Sequence, residues 1–267
     1  EGRRVIVIGT GLGGSGVSAL LAKEGADVLV LERNPFPGGK AASFERQGFV
    51  YDSGVHWLAR GERGPLGEIA REVGADLRFR SLEEGVKFSL GGRTVTLPSD
   101  MEDEDAMKAF FFQLGVAPDK IPAAWAFFQD VMRERTPQEL KALDRLSLAD
   151  HVSRFISDQQ FERLIEAFAG IYMVIGPRQS SAGEFVLCLS THIREKTLSY
   201  PLGGMRAVPL AYLRSTEKRG GEVRYSSPVR RIVVEGGRVR GVEAGGFIPA
   251  DRVISNTGIK ETVDKVI

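Results

Sequence analysis

The sequence predicts an α/β fold, a parallel sheet interrupted by a mainly helical segment, and three observations carry that expectation. Val5-Ile6-Val7-Ile8 is a continuous β-branched run, the pattern of a strand buried on both faces of a parallel sheet. A glycine-rich turn, helix-spaced Val17, Leu20 and Leu21, and a second apolar run, DVLVLE (27–32), follow at once as strand, helix and strand, with Gly25 closing the helix. Near the end, helix-spaced Val208, Ala211 and Tyr212 precede Gly220-Gly221. Strand patterns at 222–226, 229–234, 238–243 and 252–255 then alternate with glycine turns.

Composition bounds what the fold can do. The 267 residues are 42% hydrophobic and 27% charged, an ordinary globular mix long enough for one large or two modest domains. Net charge is +1, so no broad attraction to nucleic acid is expected. Arg230-Arg231 and Arg238 with Arg240 are interleaved with Val, Ile and Gly and read as solvated strand faces. A single cysteine, Cys188, excludes an internal disulfide and a multi-cysteine metal site, and its apolar setting, EFVLCLS, reads as a buried inert thiol. His56, His151 and His192 share no metal-ligand spacing, so no metal site is expected. No apolar run approaches the ~20 residues that span a bilayer, and no signal-peptide pattern opens the chain. A cytoplasmic setting is therefore expected. The first residue is Glu1 rather than Met, so the numbering is expected to start inside a longer natural chain.

The first strand, turn and helix carry the chemistry. Gly9-Thr10-Gly11-Leu12-Gly13-Gly14 sets Gly9, Gly11 and Gly14 in the positions of G-x-G-x-x-G. Gly9 permits the tight turn, Gly11 lets a pyrophosphate approach the backbone, and Gly14 lets the helix pack on the strand. The helix start, with Leu12 and Gly13 in its first turn, then offers free N–H groups and a positive dipole end to phosphates. Glu32 ends the second strand about 20 residues on, where a carboxylate can take both ribose hydroxyls of an adenosine and repel a 2′-phosphate, an argument against NADP. A bound dinucleotide is expected, with NAD and FAD both open at this point.

The stretch NPFPGGKAASFERQGFVYDSGVHW (34–57) separates them. After Glu32 a Pro-rich excursion leads to Gly38-Gly39-Lys40, a second glycine pair beside a cation, suited to another close backbone approach to an extended anionic cofactor. Here the sequence resembles the flavin-dependent amine oxidase and phytoene desaturase superfamily. The superfamily signature R-x-x-x-x-G-G-[RK]-x-x-[ST] falls on Arg33, Gly38-Gly39-Lys40 and Ser43, and its G-F-x-x-D-x-G segment on Gly48, Phe49, Asp52 and Gly54. The usual Arg after the pair is Lys40, which keeps the charge and loses the bidentate fork. The block Tyr200–Asn256, YPLGGMRAVPLAYL through VISN, resembles the superfamily's second motif region. Both blocks look most like the carotenoid desaturase, isomerase and retinol saturase branch.

The resemblance implies a Rossmann-like FAD-binding domain, parallel sheet plus β-meander, with a mainly helical substrate domain inserted. The expected boundaries are 1–85 and 199–267 for the FAD-binding domain and 86–198 for the substrate domain. It implies FAD as cofactor, held by Gly9, Gly11, Leu12, Gly13, Gly14, Glu32, Arg33, Gly38, Gly39, Lys40, Gly54, Val55, Val229 and Asn256. The Val229 backbone is implied to bond the adenine, and Gly203-Gly204 to approach the cofactor. Superfamily members are longer and close over the flavin ring with a C-terminal segment. The chain is therefore expected to be truncated at its C-terminus, to hold the ADP half of FAD better than the ring, and to be a poor catalyst alone.

The middle of the chain reads as helical after a hairpin over 86–97 with Gly91-Gly92 at its turn. Ser99-x-x-Glu102, Ser147-x-x-Asp150 and Ser181-x-x-Glu184 read as helix starts. Ala124, Trp125, Phe127, Phe128, Val131 and Met132 form one apolar helix stripe. The stripe has two readings, a helix core or a lipophilic tunnel or membrane-docking surface, so peripheral membrane contact stays open. Phe110-Phe111-Phe112 covers most of one turn, so at least one ring must leave a single buried face. The activity implied is hydride transfer between a lipophilic polyene or isoprenoid substrate, carotenoid- or retinoid-like, and flavin N5. His56, beside the expected ring system, is the candidate catalytic residue. The alternatives are a flavin amine oxidase and a non-catalytic lipid- or prenyl-binding protein on the same fold, as in the Rab GDP-dissociation inhibitors. Substrate identity and oligomeric state are not readable from these residues.

Overall fold

The computed structural model of the chain describes residues 3–55, 58, 60–82, 86–90, 92–195 and 198–266. It divides into two compact units, Glu1–Ser81 with Ser199–Ile267, and Leu82–Leu198.

The first unit is built on β1 (Arg4–Ile8), α1 (Leu12–Lys23) and β2 (Asp27–Leu31). The hairpin β3 (Ser43–Arg46) and β4 (Phe49–Asp52) follows, then α2 (Pro65–Glu72) and β5 (Phe79–Leu82). After the second unit the chain returns through β8 (Leu198–Pro201), α9 (Ala207–Lys218), β9 (Glu222–Arg224), β10 (Arg231–Glu235), β11 (Arg238–Glu243), β12 (Phe247–Pro249), β13 (Arg252–Ser255) and α10 (Ile259–Lys265).

The main sheet runs β13-β1-β2-β9, all parallel, and β10-β11-β12 form a separate antiparallel meander. Alternation along β1 explains its unbroken apolar run. Ile6 and Ile8 join Leu29 and Leu31 against Ile232 and Val242 of the meander, while Val7 joins Val28, Val30, Ala22 and Leu213 on the helical face. Successive side chains point to opposite faces, so burial on both sides demands a continuous hydrophobic string. On that helical face α1 lies against α9, with Ser18 Oγ and Thr216 Oγ1 sharing a buried hydrogen bond of 3.0 Å.

The register decides where the functional residues meet. Ile8 stands level with Leu31 on one side and Ser255 on the other. The next residue of each strand, Gly9, Glu32 and Asn256, therefore emerges at the same carboxyl edge. Ligands of open parallel sheets bind outside such an edge.

The second unit contains the hairpin β6 (Lys87–Leu90) and β7 (Arg93–Thr96), then α3 (Glu104–Leu114), α4 (Ile121–Met132), α5 (Pro137–Leu143), α6 (Leu148–Val152), α7 (Gln159–Tyr172) and α8 (Ala182–Glu195). Its core is aromatic. Phe111 packs on Phe128 and Phe161 with centroids 5.3 and 5.8 Å apart, and Phe127 lies 5.7 Å from Phe161. The α4 stripe is thus core: Ala124, Phe127, Phe128 and Val131 are fully buried against α3, α7 and α8. Of the triplet, Phe110 and Phe111 turn inward and Phe112 is 62% exposed, as one helical turn requires.

Helix starts depart from expectation at one place. Ser147 and Ser181 accept the N–H of Asp150 and Glu184 and open α6 and α8. Ser99 opens no helix; α3 begins five residues later, where Asp103 accepts the Ala106 N–H at 3.0 Å. An ionised Asp followed by Glu104 and Asp105 suits the positive helix end better than a hydroxyl. Cys188 is half-buried, and burial pushes its thiol pKa up, as for an inert thiol.

Phe161→Ala removes a fully buried ring that meets three others, and is expected to cost about 3–5 kcal/mol of unfolding free energy. Phe112→Ala, at an exposed position, is expected to stay within about 0.5 kcal/mol of the parent. Urea denaturation followed by far-UV circular dichroism checks both.

Candidate functional site

A cleft of about 670 Å³ opens at the carboxyl edge of β1, β2 and β13. Gly9, Gly11, Leu12, Gly13, Glu32, Arg33, Gly38, Gly39, Lys40, Val55, Val229 and Asn256 all line it, so the structure gathers residues up to 247 positions apart in sequence. Thr10, Asn34, Pro228 and Thr257 complete much of the remaining wall. Gly14 and Gly54 lie behind that wall. A Cβ on Gly14 would fall 2.1 Å from the Gly9 carbonyl oxygen, and one on Gly54 2.7 Å from the Lys40 carbonyl oxygen. Gly14 is therefore a packing glycine between the helix start and β1.

The glycine loop is shaped from both sides. Gly11 is the N-cap of α1 and has no side chain to cap the first-turn N–H groups, which suits them to an external anion. The side chain of Asn256 reaches this loop from β13: a Cβ on Gly11 would lie 2.8 Å from its Nδ2, and one on Gly13 2.7 Å from its Oδ1. The Asn256 N–H donates to the Ile8 carbonyl at 2.9 Å, which holds the Asn256 backbone beside the loop. The Gly11 and Gly13 Cα positions thus admit a neighbouring amide as well as any phosphate.

Glu32 is buried, and its carboxylate accepts four hydrogen bonds. The Thr10 N–H (2.9 Å) and hydroxyl (2.6 Å) both donate to Oε2. The Asn34 N–H (2.8 Å) and Nδ2 (2.9 Å) both donate to Oε1. The second glycine turn is tied to the same point: the Gly38 N–H donates to the Thr10 carbonyl at 3.2 Å, and it lies 3.3 Å from Thr10 Oγ1. Gly38 sits at φ 118°, a conformation closed to L side chains, and a Cβ on Gly39 would lie 3.4 Å from Gly11 Cα. The two glycine turns therefore stack backbone on backbone. At the rim, Arg33 and Glu261 of α10 form a 3.0 Å ion pair that is largely solvated.

A second polar centre buttresses the cleft. Asp52 accepts hydrogen bonds from Ser43 Oγ (2.6 Å), the Tyr200 hydroxyl (2.6 Å) and the Met205 N–H (2.9 Å), joining β3 and β4 to the turn before α9. Burial, reinforced by the Asp52 carboxylate, pushes the Tyr200 pKa up to about 12. This centre explains a departure from expectation. Gly203 and Gly204 do not line the cleft: Gly203 lines a separate cavity of about 230 Å³ with Arg206, and Gly204 packs where a Cβ would meet Val50 and Ser43. The bond to Asp52 holds that turn beside the β3–β4 hairpin.

His56, the candidate catalytic residue, lies outside the described residues. His151 and His192 belong to the second unit, where burial pushes both pKa values down; His151 is bonded to Asp130 at 3.0 Å and His192 to the Tyr172 hydroxyl. Among the described residues no cluster of three His, Cys, Asp or Glu side chains is placed to hold a metal, and no helix is long and apolar enough to cross a membrane. Sequence reasoning passed over Thr10 and Asn34 as site residues. The one available signal was the position of each, Thr10 inside the G-x-G and Asn34 two residues beyond the strand-ending acid.

A family model described as flavin containing amine oxidoreductase matches residues 17–261. Among curated proteins, the zeta-carotene-forming phytoene desaturase of Myxococcus xanthus is 26% identical over all of this chain and 56% of its own length. The inactive all-trans-retinol 13,14-reductase of Danio rerio is 25% identical over 98% of this chain and 48% of its own. The chain thus spans about half the length of the curated relatives it matches. Among solved structures, an oxidoreductase from Methanosarcina mazei superposes with a TM-score of 0.79 at 24% identity, over 98% of this chain and 61% of that one.

The Tyr200 hydroxyl makes stability pH-dependent with a definite sign. Its folded pKa is raised, so the unfolded state loses this proton first as pH rises. The stabilisation is complete below the unfolded value of about 10 and is lost between about pH 10 and 12. Chemical denaturation across that range is expected to show a shallower decline for Tyr200→Phe than for the parent. Gly14→Ala, which meets backbone, is expected to lower the melting temperature more than Gly11→Ala, which meets a side chain able to move.

Proposed function

The chain belongs to the flavin containing amine oxidoreductase family, and we propose that it binds FAD in this cleft and serves hydride transfer to or from a lipophilic polyene. The single observation that carries the binding mode is the convergence of two stacked glycine turns, an uncapped helix start and a buried acid on one sheet edge.

The residues fit the group. The α1 N-terminus and the Gly9–Gly13 backbone would offer N–H donors to the pyrophosphate, with Lys40 as the nearby cation. Glu32 would take the adenosine ribose and disfavour a 2′-phosphate, Val229 and Asn256 would border the adenosine end, and Arg33 and Glu261 close the rim. When bound, the flavin supplies the hydride acceptor or donor; the protein orients it and excludes water. The polyene assignment rests on the relatives' names, a phytoene desaturase and a retinol reductase. The Danio rerio relative is named inactive, which supports a second reading, a non-catalytic lipid binder on the same fold.

Two measurements test these readings. The purified protein reconstituted with FAD is expected to show flavin absorption in the visible range, and Glu32→Gln to weaken FAD binding by about tenfold, the worth of a hydrogen bond to a charged group. Chromatography of the FAD-loaded protein incubated with phytoene or retinol is expected to yield a product of altered unsaturation. Absence of flavin binding after reconstitution overturns the FAD enzyme and supports the binder, and flavin binding without conversion of either lipid overturns the polyene assignment.

A further inference from the structure

We propose that Thr10 and Asn34 divide the Glu32 carboxylate between them: Thr10 is the positioning residue that aims it, and the Asn34 side chain is the donor that a ribose hydroxyl displaces. The inference rests on the reading of the cleft as an FAD site and adds to it how the adenosine end is selected.

A carboxylate offers about four lone-pair sites, and all four of the Glu32 sites are filled by the chain itself. A ribose hydroxyl can therefore bond Glu32 only by replacing one of these donors. The four are not equivalent. Two are backbone N–H groups, fixed by the turn that carries them. The Thr10 hydroxyl is fully buried, and its oxygen lies within reach of the Gly38 N–H, so it is held on a second side. The Asn34 amide is the exception. It is partly exposed, lines the cleft, and reaches Oε1 through rotatable side-chain torsions while its own backbone N–H holds the same oxygen. Rotation of that amide frees one site on Oε1 and leaves three donors to keep the carboxylate aimed.

The two residues should therefore act with opposite sign, on a quantity that general loss of fold does not reproduce. That quantity is the preference for ADP over 2′-deoxy-ADP, measured by competition against FAD with flavin fluorescence as the readout. For the parent the preference is expected to be about tenfold, one hydrogen bond to a charged group. Thr10→Val removes the hydroxyl donor at near-constant volume and is expected to cut the preference to about twofold; Thr10→Ser is expected to restore it. Asn34→Ala removes the competitor and is expected to raise the preference, through tighter ADP binding, about tenfold further, the worth of one hydrogen bond to a charged group.

A Thr10→Val protein that binds FAD with the full parental preference overturns the role of Thr10. An Asn34→Ala protein whose preference is unchanged or lowered overturns the role of Asn34. A parent that binds FAD yet treats ADP and 2′-deoxy-ADP alike overturns both roles while the FAD reading stands. A parent that binds no FAD overturns that reading, and this one with it.

Discussion

The buried carboxylate of Glu32 is the constraint on which the candidate site depends. An ionised carboxylate withdrawn from water is costly unless its oxygens are hydrogen-bonded. Here the compensation comes from two residues, Thr10 and Asn34, each donating through backbone and side chain together. Meeting that requirement folds the glycine loop over the end of β2, because Thr10 can reach Oε2 only if Gly9 turns the chain sharply after β1. The same turn directs the uncapped start of α1 into the cleft. It also presents the Thr10 carbonyl to the Gly38 N–H, which seats the second glycine turn on the first. A ligand-binding geometry thus follows from solving one local electrostatic problem.

Two further contacts complete the edge. Asn256, the residue that follows β13, is tied by its N–H to the Ile8 carbonyl and lays its amide against Gly11 and Gly13. Asp52 gathers three donors, from β3, from β8 and from the turn before α9, so the hairpin beyond Lys40 is anchored to the returning chain. The second unit supplies its own stability from a ring-on-ring core, and the polar histidine contacts inside it, to Asp130 and Tyr172, are part of that packing.

Much of this was legible beforehand where the signal was local and periodic. The two apolar runs at 5–8 and 27–31, the helix between them, the strands β9, β10, β11 and β13 and the hairpin at 86–97 answer to spacing alone; β12, and the division of these strands between the parallel sheet and the meander, do not. The exposure of one ring in Phe110-Phe111-Phe112 followed from helix geometry. Legibility failed where two local signals competed or where the partner was remote. Ser99 and Asp103 both carry capping chemistry, and only the first-turn acids decide between them. The α4 stripe is apolar in a core and in a tunnel alike, and the rings of α3 and α7 that make it a core lie elsewhere in the chain. Gly203-Gly204 matched a motif, yet the Asp52 bond draws that turn to the β3–β4 hairpin.

By itself the sequence determined the α/β class, the glycine turns and the acid at the end of β2, because backbone sterics and period-two or helical burial act within a few residues. Only the tertiary structure decided that Thr10 and Asn34 saturate Glu32, that Asn256 covers the glycine loop, and that Asp52 holds the Tyr200 turn. Hydrogen bonds are directional and reach about 3 Å. Which donor meets which acceptor across 22, 148 or 248 residues is therefore set by strand register and helix packing, not by any spacing along the chain.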